Sequence, residues 1–149
     1  AALVCTEMVS AMGIKYKNER THELLRIEEV ERPVSMQIFG SNPEAIALGA
    51  KVVADAGADI VDINMGCPVK KVVTSGDGSA LMKNPDLAAR VAEAAVKAVD
   101  VPVTVKVIPS MLWTLLSASN LQVWRLLQYM AVLRNKCTVG MLIGLILRL

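Results

Sequence analysis

PVSMQIFGSNPEAIALGAKVVADAGADIVDINMGCP, residues 33–68, is the stretch that decides the fold. Its first apolar run, 33–39, is rich in β-branched and bulky residues and stops at Gly40, which predicts a strand. Ser41-Asn42-Pro43-Glu44 then offers a capping side chain followed by proline at the first turn, so 43–56 reads as a helix closed by Gly57. Residues 59–64 supply the next strand. A strand, a helix and a strand in this order make a parallel βαβ unit, because parallel neighbours need a crossover long enough to return the chain.

The same alternation extends outward. Residues 3–9 read as a buried strand, 18–27 as a short helix, 85–99 as a helix opened by Asn84-Pro85, and 102–107 as a fourth strand. Four such strands neither close a barrel nor easily stand as an open sheet. The architecture they point to is α/β, a partial (β/α)8 TIM barrel with about four of its eight strands, over residues 1–107. In such barrels the chemistry sits at the carboxyl ends of the strands. That directs attention to Thr6, Glu7 and Met8, to Gln37, to Asn64 through Pro68, and to Lys106.

Composition narrows the class. With 149 residues, 54% apolar and 20% charged, and a net charge of +2, the chain is neither disordered nor a disulfide-dense mini-protein, and its charge alone does not argue a nucleic-acid partner. Three cysteines without a C-x-x-C pair suggest a reducing compartment and no structural zinc. All fourteen acids lie in residues 1–100, against eleven Lys and Arg, whereas 101–149 holds five bases and no acid. Residues 108–149 therefore read as a second region, a leucine-rich, helical tail unrelated to the barrel. Its longest apolar run, 139–147, is short of the ~20 residues a membrane-spanning helix needs. An amphipathic helix over 113–130 on a membrane surface is a further possibility. The opening Ala1-Ala2-Leu3-Val4, without an initiator Met, looks like a chain cut from something longer.

Cys67 is the sharpest candidate at the strand ends. Set between Gly66 and Pro68 just past a strand, it is presented by a stiff turn, and a thiol of ordinary pKa ~8.5 is mostly protonated at neutral pH and able to act as a general acid. A buried structural cysteine is the competing reading, and Cys5, inside a strand, is assigned to that class. Gln37 and Asn64 are amides on otherwise apolar strands, suited either to read the edge of a flat heterocycle or to satisfy one another in the interior. Lys106 closes the run Val103-Thr104-Val105, where an ammonium is costly unless it meets an anion or a ligand. Gly76-Asp77-Gly78-Ser79-Ala80-Leu81 lacks the third glycine of a dinucleotide fingerprint and reads as a flexible loop. Lys70-Lys71 reads as a solvated pair and His22 as a surface residue.

Thr6-Glu7-Met8-Val9-Ser10, PVSMQIFG at 33–40, DIVDINMGCPVKK at 59–71, Gly76-Asp77-Gly78 and PVTVK at 102–106 together resemble the tRNA-dihydrouridine synthases, bacterial B-type. The resemblance runs in order over residues 1–107. It implies a cytoplasmic, FMN-dependent reductase of uridine in tRNA, with NADPH as the reductant. It places Cys67 as the acid that protonates uracil C5, Gln37 and Lys106 against the flavin, and Asn64 near uracil and flavin. It implies tRNA as partner, no metal and no membrane. The matched part begins after the family's first strand and stops before its late-barrel phosphate site and helical RNA-binding domain.

The tail carries an expectation of its own. If codons are rebuilt from the last base of one and the first two of the next, Trp113-Thr114 must give Asp, Met130-Ala131 must give Gly, and 122–133 permits G-V-A-A-I-T-V-H-G-R-T, a string that family carries after the strand of Lys106. Residues from about 108 onward then read as the same gene out of frame, which the encoding DNA decides. The competing functions are another flavin barrel acting on a free pyrimidine, such as a dihydroorotate dehydrogenase, and a non-catalytic truncated product whose tail promotes self-association.

Overall fold

The computed structural model describes residues 3–107. Its sheet is parallel throughout and its strands are β1 (Val4–Cys5), β2 (Val9–Ser10), β3 (Val34–Phe39), β4 (Ile60–Asn64) and β5 (Val103–Lys106). The order β1-β3-β4-β5, with β2 beside β3, sets successive parallel strands side by side without reversal. A doubly wound sheet reverses its order at a switch point; this one does not, which is consistent with part of a (β/α)8 barrel. The tail expected over 108–149, with its helix, its frame-shifted reading and its self-association, lies outside the described residues.

The helices are α1 (Ala11–Lys15), α2 (Glu19–Glu23), α3 (Pro43–Asp55), α4 (Lys70–Val73) and α5 (Pro85–Ala98). Both long helices start as their sequences dictate. Asn42 Oδ1 accepts from the Ala45 N–H at 2.8 Å and Asn84 Oδ1 from the Leu87 N–H at 3.1 Å, each with proline in the first turn. Ala45, Ile46, Gly49, Ala50 and Val53 bury one face of α3, and Ala88, Ala89, Val91, Ala92 and Ala95 one face of α5. These side chains are mostly small, so the two helices pack together and close against the sheet.

Register assigns the two sheet faces. Met36 pairs with Val61, and Ile38 with Ile63 and Val9, so these apolar side chains share the face that joins the helices in one core. The alternate positions fall on the other face: Gln37 pairs with Asp62, Asp62 with Thr104, and Asn64 with Lys106.

Two expectations need correction. Residues 3–9 are not one buried strand. Val4 and Cys5 are exposed, and four steps along this segment, Cys5 to Val9, match three steps along β3, Ser35 to Ile38, which is a bulge of one residue. Thr6 compensates there: its Oγ1 accepts from the Gln37 N–H at 3.1 Å while its own N–H donates to the Ser35 carbonyl at 3.1 Å. The helix expected over 18–27 shortens to α2, five residues, because this polar stretch has few apolar positions to pack.

Candidate active site

Asn64, the last residue of β4, is 2% exposed and has both ends of its amide engaged. Its Oδ1 accepts from the N–H groups of Gly66 at 3.1 Å and Cys67 at 2.9 Å, an Asx turn that bends the chain immediately after the strand. Its Nδ2 donates to Gln37 Oε1 at 2.8 Å. Gln37 Nε2 in turn donates to Asp62 Oδ2 at 2.5 Å, and Thr104 Oγ1 donates to Asp62 Oδ1. One connected set of side chains thus crosses β3, β4 and β5 and ends on the backbone of the cysteine turn.

Cys67 is half-buried. Its carbonyl accepts from the Ser79 N–H at 3.0 Å, which ties the turn to a 3₁₀ segment, Gly78–Lys83. Gly78 is required for this approach. With φ at +57°, it lies so near that a Cβ would stand 2.7 Å from the Cys67 carbonyl oxygen and 2.9 Å from Val72 Cγ1. The flexible loop expected over 76–81 is therefore corrected: Ser79, Leu81 and Met82 are buried, and the segment backs the cysteine turn. Lys70 and Lys71 open α4 just after that turn and are exposed, as the sequence suggests.

Lys106 closes β5 beside Asn64, half-buried, and its carbonyl accepts from the Met65 N–H at 2.8 Å. Asp62 is 2% exposed, and burial pushes its carboxyl above the usual range, opposed by the hydrogen bonds from Thr104 and Gln37 and by the positive charge of Lys106. No buried side-chain polar atom among the described residues lacks a hydrogen-bond partner. At the opposite end of the strands, Arg32 Nη2 donates to Asp59 Oδ1 at 2.8 Å, and Asp59 Oδ2 accepts from the Val34 N–H at 2.7 Å, which pins β3 to the start of β4. Among the described residues no group of three or more His, Cys, Asp and Glu is placed to hold a metal, and no helix is long and apolar enough to cross a membrane.

The dihydrouridine synthase (Dus) family model matches residues 1–121, most of the chain. The chain belongs to the dihydrouridine synthase family. It is 48% identical over 107 residues to a probable tRNA-dihydrouridine synthase of Rhizobium leguminosarum, covering 71% of this chain and 33% of that protein. With tRNA-dihydrouridine synthase B of Proteus vulgaris it shares 44% identity over 108 residues, 72% of this chain and 33% of the relative. Identity rises to 53% over 75 residues with the B enzyme of Xanthomonas campestris, covering 50% of this chain and 23% of that one. The chain thus spans about a third of the length of the first two relatives.

In this chain the residues singled out from the motifs converge. Gln37 is bonded to Asn64, Asn64 to the Cys67 backbone, and Lys106 flanks Asn64 in register. The sequence pattern gave no role to Asp62 and Thr104, marked Thr6 only as a strand end, and carried Gly78 only within a glycine-rich motif. A period-2 signal did mark the first two: in Ile60-Val61-Asp62-Ile63-Asn64 and Val103-Thr104-Val105-Lys106 the polar residues alternate with the core positions.

Proposed function

We propose that this chain carries the flavin-facing and uracil-facing part of an enzyme that reduces uridine in tRNA to dihydrouridine, with FMN as cofactor and NADPH as reductant, in the cytoplasm. The observation that carries the reading is the joined placement of Gln37, Asn64 and Cys67 at the carboxyl ends of β3 and β4. The donor set fits FMN in its chemistry: an ammonium at Lys106 and an amide at Gln37 with a second N–H still to give, beside a planar ring whose edge carries nitrogen and oxygen acceptors. When bound, FMN supplies the hydride that adds to uracil C6, and NADPH restores it.

The chain's own residues then have distinct tasks. Lys106 holds a positive charge where a negative one develops on reduction. Asn64 fixes the turn so that the Cys67 thiol stands in one place. Cys67 gives its Sγ proton to uracil C5 as the C6–H bond forms, so the C5=C6 double bond is saturated by one hydride and one proton, and the thiolate regains its proton from water. The base must leave its stack to reach such a cleft, at a cost of a few kcal/mol. The family match favours this reading over a reductase of free pyrimidines.

The test is dihydrouridine formation in unmodified tRNA, read by nuclease digestion and mass spectrometry, with FMN and NADPH present. Product is expected, with the Cys67→Ala rate lower by a factor of about 10² to 10⁴, the usual contribution of a positioned acid. Equal rates with and without the thiol contradict the assignment, and absence of both product and flavin binding leaves only the family membership.

A further inference from the structure

We propose that Asp62 is a positioning residue that sets the direction of the hydrogen-bonded side chains Asp62, Gln37 and Asn64 and thereby holds the Cys67 turn in place. The two ends of the set fix its direction. At one end stand the backbone N–H groups of Gly66 and Cys67, which can only donate, so the atom facing them must be Asn64 Oδ1. That turns Asn64 Nδ2 toward Gln37, which must answer with Oε1. Gln37 is then left presenting Nε2 toward β4, and it needs an acceptor there. Asp62 is that acceptor, and as a carboxylate it can be nothing else.

An amide in the middle of such a set has two orientations differing by a half-turn, and either is sterically acceptable. Only the obligate donors at one end and the obligate acceptor at the other make one orientation pay no penalty of unmatched groups. Were Gln37 to turn round, its N–H₂ would meet the N–H₂ of Asn64 and its oxygen the Asp62 carboxylate. Asn64 would then have to turn as well and would lose the Gly66 and Cys67 N–H groups. Thr104 occupies the second Asp62 oxygen and locks the carboxylate plane, but lies off the path to the turn. The set is buried at Asp62, Asn64 and Thr104, where water cannot substitute for a lost partner.

This inference deepens the reading of Cys67 as the acid, yet its test uses neither flavin nor tRNA, so the two can fail separately. Amide hydrogen exchange is followed residue by residue in the 149-residue chain and its variants. In Asp62→Leu and in Gln37→Met, exchange at Gly66 and Cys67 is expected to be roughly tenfold faster, the weight of one hydrogen bond, with the amides of α3 and α5 unchanged. Asp62→Asn restores exchange to within about twofold of the parent, since its oxygen still accepts from Gln37 and its N–H₂ can donate to the Thr104 hydroxyl. Thr104→Val leaves Gly66 and Cys67 as they are. If Asp62→Leu fails to fold, Gln37→Met carries the test alone. Unchanged exchange at Gly66 and Cys67 in a folded Asp62→Leu or in Gln37→Met overturns the proposal, and so does acceleration spread equally over α3 and α5.

Discussion

The two faces of one sheet are made from alternate residues of the same strands, yet they share almost no chemistry. On one, Met36, Ile38, Val61, Ile63 and Val105 are buried in a core closed by α3 and α5. On the other, Gln37, Asp62, Asn64, Thr104 and Lys106 form a polar layer in which direction, not volume, decides what fits. The apolar face is held by burial and tolerates exchange of similar shapes. The polar face holds a turn, and Gln37, Asp62, Asn64 and Thr104 are each constrained by the donor or acceptor beside them. Strands of period two let a protein keep the two tasks apart within four residues.

The sharpest way to break the apolar side is Ile38→Ala. Ile38 is fully buried between Val9 and Ile63, so truncation should cost about 2–5 kcal/mol, read as a lower urea midpoint. Gly78→Ala attacks the backing of the polar side. A methyl group 2.7 Å from the Cys67 carbonyl oxygen, at a positive φ, should cost about 1–3 kcal/mol and change the alkylation rate of Cys67. Asn84→Ala removes a cap that belongs to neither face, and about 1 kcal/mol lost in thermal unfolding is expected.

Asp62→Asn sharpens the comparison by sign. Burial raises the Asp62 pKa in the folded chain, so the unfolded chain releases that proton first and stability falls as pH climbs from the usual carboxylate range through the raised value. The Asn variant escapes this loss and should match or exceed the parent at neutral pH, with the gain growing as pH climbs above the usual carboxylate range in urea titrations. The smallest effect belongs to the exposed pair at the far ends of the strands. Arg32 and the Val34 N–H hold Asp59 below the usual range, so its contribution is complete above that range and fades as pH drops through the lowered value. Asp59→Asn should flatten this acid limb of the stability curve.

Most of the apolar face was legible because local signals coincide with it. The predicted helix 43–56 is observed as Pro43–Asp55, and 85–99 as Pro85–Ala98, since Asn-Pro supplies cap and first turn in one dipeptide. Strands predicted over 33–39, 59–64 and 102–107 lie within a residue of β3, β4 and β5. The polar face was legible only at its strand ends. Asp62 escaped notice because its partners are distant in sequence, Gln37 by 25 residues and Thr104 by 42, and no local pattern names them. The segment after Gly76 was misread for the same reason: its order comes from the Cys67 carbonyl and Val72, not from its own composition. The break between β1 and β2 depends on one Thr6 hydroxyl replacing a ladder bond, which periodicity does not reveal.

The central claim, that the polar face is where a flavin and a uracil meet the Cys67 turn, is tested most directly by titrating FMN into the isotope-labelled chain and following backbone and side-chain amide resonances. Shifts are expected to concentrate at Gln37, Asn64, Gly66, Cys67 and Lys106 and to be abolished by Lys106→Met. Shifts confined to α3 and α5, or none at saturating FMN, would contradict it.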